Sequence, residues 1–211
     1  MTYKALSEAV IKGDVNQAKA ETQKAADGGA DPQHVLDDCL IAAMDVVGEK
    51  FAQGAMFVPQ MLRSAKTMQA CVAVLKPHFR GGGMTTKGKV ILGTVKGDLH
   101  DIGKNLVAMM LEGAGFQIVD LGVDVAPEAF VKAVHEENGQ VVGMSALLST
   151  TMPAMAETVK ALENAGKRKE LKIMIGGAPV TAEYADRIGA DSYAPDAGTA
   201  VTEAKKLLNA Q

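Results

Sequence analysis

The segment Gly97-Asp98-Leu99-His100-Asp101-Ile102-Gly103 combines residue types and a spacing that could do chemistry. A His preceded two residues earlier by an Asp suits a metal ligand. One imidazole nitrogen binds the metal and the other donates its N–H to the carboxylate, which fixes the tautomer and makes the ligand more basic. Gly103 allows close backbone approach where the loop enters a helix. Taken alone, Asp-x-His-x-x-Gly is a weak signal, because an N-capping Asp beside an exposed His is the more ordinary explanation. Two other segments shift the balance. Ser145-Ala146-Leu147 and Gly176-Gly177 each close an apolar run, as the Asp98–His100 segment does. In a parallel sheet the loops after such runs open on one edge. Small residues there leave a slot for a long ligand.

Other reactive side chains read as structural. Cys39 and Cys71 lie in helix-like segments without Cys-x-x-Cys spacing, as expected of small core residues in a cytosolic protein. His34, His78 and His135 have no partner at ligand spacing. Asp120, Asp124 and Glu128 read as strand-end acids and a helix N-terminal Glu. Lys167-Arg168-Lys169 reads as a solvated loop.

The elements that must position these residues fall into two stretches. Residues 1–80 show only helical periodicity. The expected helices end at Gly13-Asp14, run from about Val15 to Ala26, open again at Asp31-Pro32 with an apolar stripe from Val35 to Phe51, and continue from Met61 to Phe79. Four helices with short connections predict an antiparallel bundle. Residues 81–88, opening with Gly81-Gly82-Gly83, read as a flexible linker. Residues 89–211 alternate strand and helix patterns. Strands are expected at Lys89–Val95, Gln117–Leu121, Val141–Leu147, Lys172–Ile175 and Asp191–Tyr193, with helices near Gly103–Glu112, Pro127–Glu137, Met152–Ala165 and Ala182–Ile188 and a last one to Leu208. That alternation predicts a doubly wound, five-stranded parallel sheet.

Composition narrows the function classes. The chain has 211 residues, no Trp and a formal net charge of -3, which argues against a nucleic-acid binder held by phosphate contacts. No apolar run approaches the length of a membrane span, and the N-terminus lacks a signal-peptide core.

The set Asp98, His100 and Gly103, then Ser145 and Leu147, then Gly176 and Gly177, resembles cobalamin-binding domains of flavodoxin-like fold. The helical first half is similar to the cap bundle of methylcobalamin proteins such as methionine synthase and the small corrinoid proteins of methylotrophic methanogens and acetogens. The segment Phe51-Ala52-Gln53-Gly54-Ala55-Met56-Phe57-Val58-Pro59-Gln60-Met61 is similar to the cap segment of that group. The resemblance covers essentially the whole chain.

It implies a corrinoid bound with its benzimidazole off the cobalt and His100 as lower axial ligand. Leu99, Asp101 and Ile102 belong to the same ligand-binding segment. Asp98 would hold the other imidazole nitrogen, and Thr151 stands where the family often has a Ser extending that relay. Ser145, Leu147 and Ser149 would line the nucleotide-tail site, with Gly176 and Gly177 giving it room and Asp196-Ala197 nearby. Phe51, Phe57, Val58 and Met61 would cover the methyl-bearing face. Helical spacing alone makes Phe51 and Met61 bundle core, whereas Phe57 and Val58, between Gly54 and Pro59, favour a shaped surface.

The implied function is a methyl carrier, not catalytic alone, whose cobalt alternates between methyl-cobalt(III) and cobalt(I). A substrate:corrinoid methyltransferase of methylamine, methanol, methoxyarene or quaternary-amine type would load it. A methylcorrinoid:tetrahydrofolate or coenzyme M methyltransferase would unload it, and an ATP-dependent reductive activase would rescue it. The linker would act as the hinge. The alternatives are a cobalamin-based sensory module, which usually adds a DNA-binding domain and a cap Trp, the small subunit of an adenosylcobalamin mutase, which lacks the cap, and a flavodoxin-like domain with no cofactor.

Overall fold

The computed structural model describes residues 3–79 and 84–209. The chain divides into two compact units, Met1–Thr86 with Glu112–Gly115, and Lys87–Leu111 with Phe116–Gln211. Gly81–Gly83, assigned from sequence to a hinge, lie outside the described residues.

The first unit is helical. Helix α1 (Lys4–Lys12) buries Leu6, Ala9 and Val10 and stops at Gly13, which takes a left-handed φ of 72°. Asp14 then caps α2 (Val15–Asp27) by accepting the Gln17 N–H at 3.0 Å. Asp31 does the same for α3 (Pro32–Val35), with Pro32 in the first turn, where a missing N–H is harmless. The expected long third helix does form, but its register changes. Leu36–Ile41 is a π-helical turn leading into α4 (Ala42–Ala52). Its wider winding lets the consecutive apolar residues Leu40 and Ile41 both be buried. The Ser7 hydroxyl donates to Cys39 O at 3.2 Å, giving one of its carbonyls a partner.

The fourth helix, α5 (Val58–Leu75), starts before the expected Met61. Pro59 falls in its first turn, and Gln60 Oε1 reaches back to accept the Phe57 N–H at 2.9 Å. It also ends before the expected Phe79. Pro77 has no N–H to continue the ladder, so Lys76–His78 closes as a 3-10 turn.

The second unit is an all-parallel sheet ordered β2-β1-β3-β4-β5. Its strands are β1 (Lys89–Thr94), β2 (Gln117–Asp120), β3 (Val141–Ser145), β4 (Lys172–Gly176) and β5 (Ser192–Ala194). The intervening helices are α6 (Ile102–Gly113), α7 (Pro127–Glu137), α8 (Pro153–Asn164), α9 (Ala182–Ile188) and α10 (Ala197–Asn209). Both faces are covered. Ile91, Val142, Ile173 and Ile175 join Phe130, Met155 and Leu162 in one core, while the alternate residues Val90, Leu92 and Met174 are buried as well.

Several strand ends differ from expectation by a residue or two, and two of them for visible reasons. β3 stops at Ser145 instead of Leu147, because the Leu147 N–H turns away to donate to Asp98. β5 starts at Ser192 instead of Asp191, because the Asp191 carboxylate accepts the Ile173 N–H at 2.7 Å and pairs with Arg168 at 3.0 Å. The register aligns Thr94, Ser145, Gly176 and Ala194 as neighbours across four strands. The loops after them therefore leave one edge together. The strand order reverses between β1 and β3, the place where such sheets bind ligands. Among the described residues no helix is long and apolar enough to cross a membrane.

Candidate functional site

The loop after β1 is shaped by a turn. Asp98 N–H donates to Val95 O at 3.1 Å, and Gly97 takes a positive φ of 83°, a conformation for which glycine is suited. The turn directs Asp98 inward, where its side chain has no exposed surface, and leaves the His100 side chain half exposed (51%). Thr94 Oγ1 donates to His100 O at 2.9 Å and ties the loop to the strand beneath it. Asp101 accepts from Asn105, one turn into α6, with both backbone and side chain.

Asp98 is surrounded by donors. Its Oδ1 accepts the His100 N–H at 3.1 Å and lies 2.7 Å from His100 Nδ1. Its Oδ2 accepts Leu147 N–H at 2.7 Å and Leu148 N–H at 3.3 Å, and the Thr151 hydroxyl stands 2.7 Å away. Thr151 Oγ1 also lies 2.9 Å from Leu148 O; its single proton favours the charged acceptor. Burial pushes the Asp98 carboxyl up, but the bonds from Thr151, Leu147 and His100 outweigh it and hold it far below the usual carboxylate range. An ionised Asp98 can only accept. His100 Nδ1 must then carry the proton, which leaves the Nε2 lone pair for a metal.

The surroundings of His100 are apolar and open. Leu99 is 71% exposed and Ile102 85%, and Val123, Leu147 and Leu148 on the adjoining loops are also exposed. Large hydrophobic side chains gathered at one exposed place mark a binding surface. A Cβ added at Gly103 would meet nothing within 4 Å, so the start of α6 borders open space. Among the described residues no group of three or more His, Cys, Asp or Glu could hold a metal ion. A lone imidazole on an apolar surface suits a metal that brings its own ring of ligands.

The structure unites most of the sequence-derived candidates of the second unit. Asp98, Leu99, His100, Asp101, Ile102 and Gly103 form one loop, and Leu147 and Thr151 join it through Asp98. Ser145 ends β3 between Thr94 and Gly176, and Ser149 is exposed on the loop beyond. Gly176 and Gly177 have a reason of their own. A Cβ at Gly176 would lie 2.6 Å from Ala194 O, and one at Gly177 (φ 128°) would lie 1.9 Å from Ala146 O. Both glycines thus permit close backbone approach between strand ends. Asp196 caps α10 by accepting the Thr199 N–H at 2.8 Å, and Ala197 is buried.

The other four candidates belong to the first unit. Phe57 is 71% exposed at the start of α5, Val58 is exposed and Phe51 half-buried, but Met61 has no exposed surface and packs as core. Sequence reasoning overlooked Thr94 and the Leu148 amide. Thr94 had a signal, a hydroxyl at the strand end.

Comparison with known proteins gives the family of the chain. The B12 binding domain family matches residues 88–204, and a second B12 binding domain family matches residues 2–76. The chain belongs to the B12-binding corrinoid proteins. It is 43% identical over 201 residues to trimethylamine corrinoid protein 2 of Methanosarcina mazei, covering 94% of this chain and 92% of that one. Identity to dimethylamine corrinoid protein 1 of Methanosarcina acetivorans is 42% over 204 residues, with 96% and 95% covered. Among solved structures, the methanol:cobalamin methyltransferase complex of Methanosarcina barkeri superposes with a TM-score of 0.90 at 30% identity, covering 99% of this chain and 80% of that chain. The cofactor of this corrinoid protein is therefore cobalamin or a related corrinoid. The half-exposed imidazole, the apolar edge and the open space at Gly103 fit such a group.

Proposed function

We propose that this corrinoid protein is the methyl carrier of a methylamine-type methyltransferase system and holds its corrinoid base-off with His100 as lower axial ligand. When bound, the corrinoid supplies a cobalt that takes up and gives up a methyl group. The observation that carries the reading is the Asp98–His100 pair at the strand-order reversal, with Nδ1 anchored at 2.7 Å and the imidazole half exposed among apolar side chains. Asp98 fixes the tautomer and the ring direction, and its negative charge makes Nε2 a stronger donor to the metal. Thr151 and the Leu147 amide keep that charge in place. With Nε2 off the metal, the same nitrogen can take a proton, and Asp98 faces the resulting cation.

Methylamine is the substrate class we favour. The trimethylamine and dimethylamine relatives reach 43% and 42% identity, against 30% for the chain from the methanol complex. The partners are a substrate:corrinoid methyltransferase, a methyltransferase passing the group to tetrahydrofolate or coenzyme M, and an ATP-dependent reductive activase. The free, buried Cys39 and Cys71 fit a reducing compartment such as the cytoplasm.

The deciding experiment loads wild type and His100→Ala with hydroxocobalamin, reduces both to cobalt(II) and records electron paramagnetic resonance spectra. Nitrogen splitting in wild type that vanishes in the variant supports the ligand. Because the benzimidazole of the cofactor can also split the signal, wild type is repeated with 15N-histidine; a three-line splitting that does not become two-line removes His100 from the cobalt.

A further inference from the structure

The loop that carries His100 is gripped from two sides. On one, the Leu147 and Leu148 amides and Thr151 converge on Asp98 Oδ2. On the other, residues 121–126 run beside the end of β1. Leu121 N–H donates to Leu92 O at 2.8 Å, Thr94 N–H to Gly122 O at 3.0 Å, and Val125 N–H to Thr94 O at 3.0 Å. Asp124 stands within this segment. Its Oδ1 accepts the Gly97 N–H at 2.6 Å, and its own N–H donates to Asp98 O at 3.0 Å.

Asp124 takes a positive φ of 53° to do so. That conformation is unfavourable for any residue with a Cβ and is best tolerated by Asn and Asp. Among the described residues the other non-glycine example is Asn138, which simply ends α7. Asp124 ends no helix. Its backbone conformation lets its carboxylate and its N–H meet two consecutive residues of the neighbouring loop.

We propose that Asp124 is a positioning residue for the His100 imidazole. The donors around Asp98 hold the head of that side chain, but they do not hold the backbone that bears it. Asp124 holds the backbone at Gly97 and Asp98, two residues ahead of His100. Without its carboxylate the turn at Lys96-Gly97 can rotate, carrying the ring away from the geometry a metal requires. This inference rests on the reading of His100 as the lower ligand.

Two variants of the full chain test it. Asp124→Gly keeps the left-handed backbone and deletes the acceptor. Asp124→Asn keeps a carbonyl acceptor and the tolerance of positive φ. In the apo-protein, Asp124→Gly is expected to speed hydrogen exchange at the Gly97 amide roughly tenfold or more, with the core-strand amide of Val142 unchanged. After loading 15N-histidine-labelled protein with hydroxocobalamin and reduction to cobalt(II), the two-line splitting from histidine in the resonance spectrum should weaken in Asp124→Gly. Both readouts should recover in Asp124→Asn. The proposal is overturned if Asp124→Gly matches wild type in both measurements. It is equally overturned if protection falls at Val142 together with Gly97, which would mark a general structural role. Wild type without the two-line histidine splitting would overturn the ligand reading and this proposal together. Because wild type and variant spectra are read separately, that failure is distinct from the first.

Discussion

Asp98 stays ionised although it is buried, because its carboxylate oxygens face donors. A group whose pKa is depressed by folding stabilises the fold at high pH. The contribution of Asp98 is fully present above the unfolded value of 3.8 and is lost as the pH falls below it, toward the folded-state pKa. Asp98→Asn should therefore lower apo-protein stability by about 2 kcal/mol at neutral pH, since it puts an amide donor where only acceptors fit. Urea midpoints of the two proteins should converge as the pH falls below that value; a constant gap would show that the charge is not responsible. Thr151 offers a cleaner deletion. Thr151→Val keeps the shape and removes the hydroxyl 2.7 Å from Asp98 Oδ2, at an expected loss of about 1 kcal/mol. Thr151→Ser should recover most of it in the same titration.

At the scale of elements, glycines near the site answer to different neighbours. Gly177 is held at φ 128° with Ala146 O where its Cβ would be. Gly177→Ala should destabilise by well over ~1 kcal/mol or prevent folding, read by thermal melting of the apo-protein. Gly103 borders open space within the first turn of α6. Gly103→Ala should be neutral or stabilise the apo-protein by up to ~1 kcal/mol, because it raises helix propensity and meets nothing. Gly103→Leu should fold equally well but retain less corrinoid on gel filtration. Full corrinoid retention in that variant would mean that the space above α6 is not used. The motif letters alone do not distinguish these glycines. One is required by backbone packing, whereas the other leaves a surface free.

At the scale of the whole molecule, each compact unit keeps apolar side chains in solvent. Phe57 is exposed in the first, and Leu99 and Ile102 are exposed in the second. Phe57→Ala should change apo stability by less than ~0.5 kcal/mol, as surface substitutions usually do. Met61→Ala, a few residues along, should cost about 2–5 kcal/mol, because the side chain is fully enclosed. Equal effects in a denaturant titration would contradict the difference in burial.

The sequence by itself determined the two kinds of architecture, since a helical period and a run of strands buried on both faces leave different marks on hydropathy. It also determined the Asp98–His100 pair, whose two-residue spacing is local enough to close its own bond. Tertiary structure decided the rest. The donors from Leu147, Leu148 and Thr151 and the acceptor from Asp124 arrive from segments distant in sequence, and only the strand order brings them to one edge. The π-helical turn at Leu36–Ile41 and the early end of β3 were set the same way. In each case a backbone or side-chain group followed a particular partner and not the local pattern.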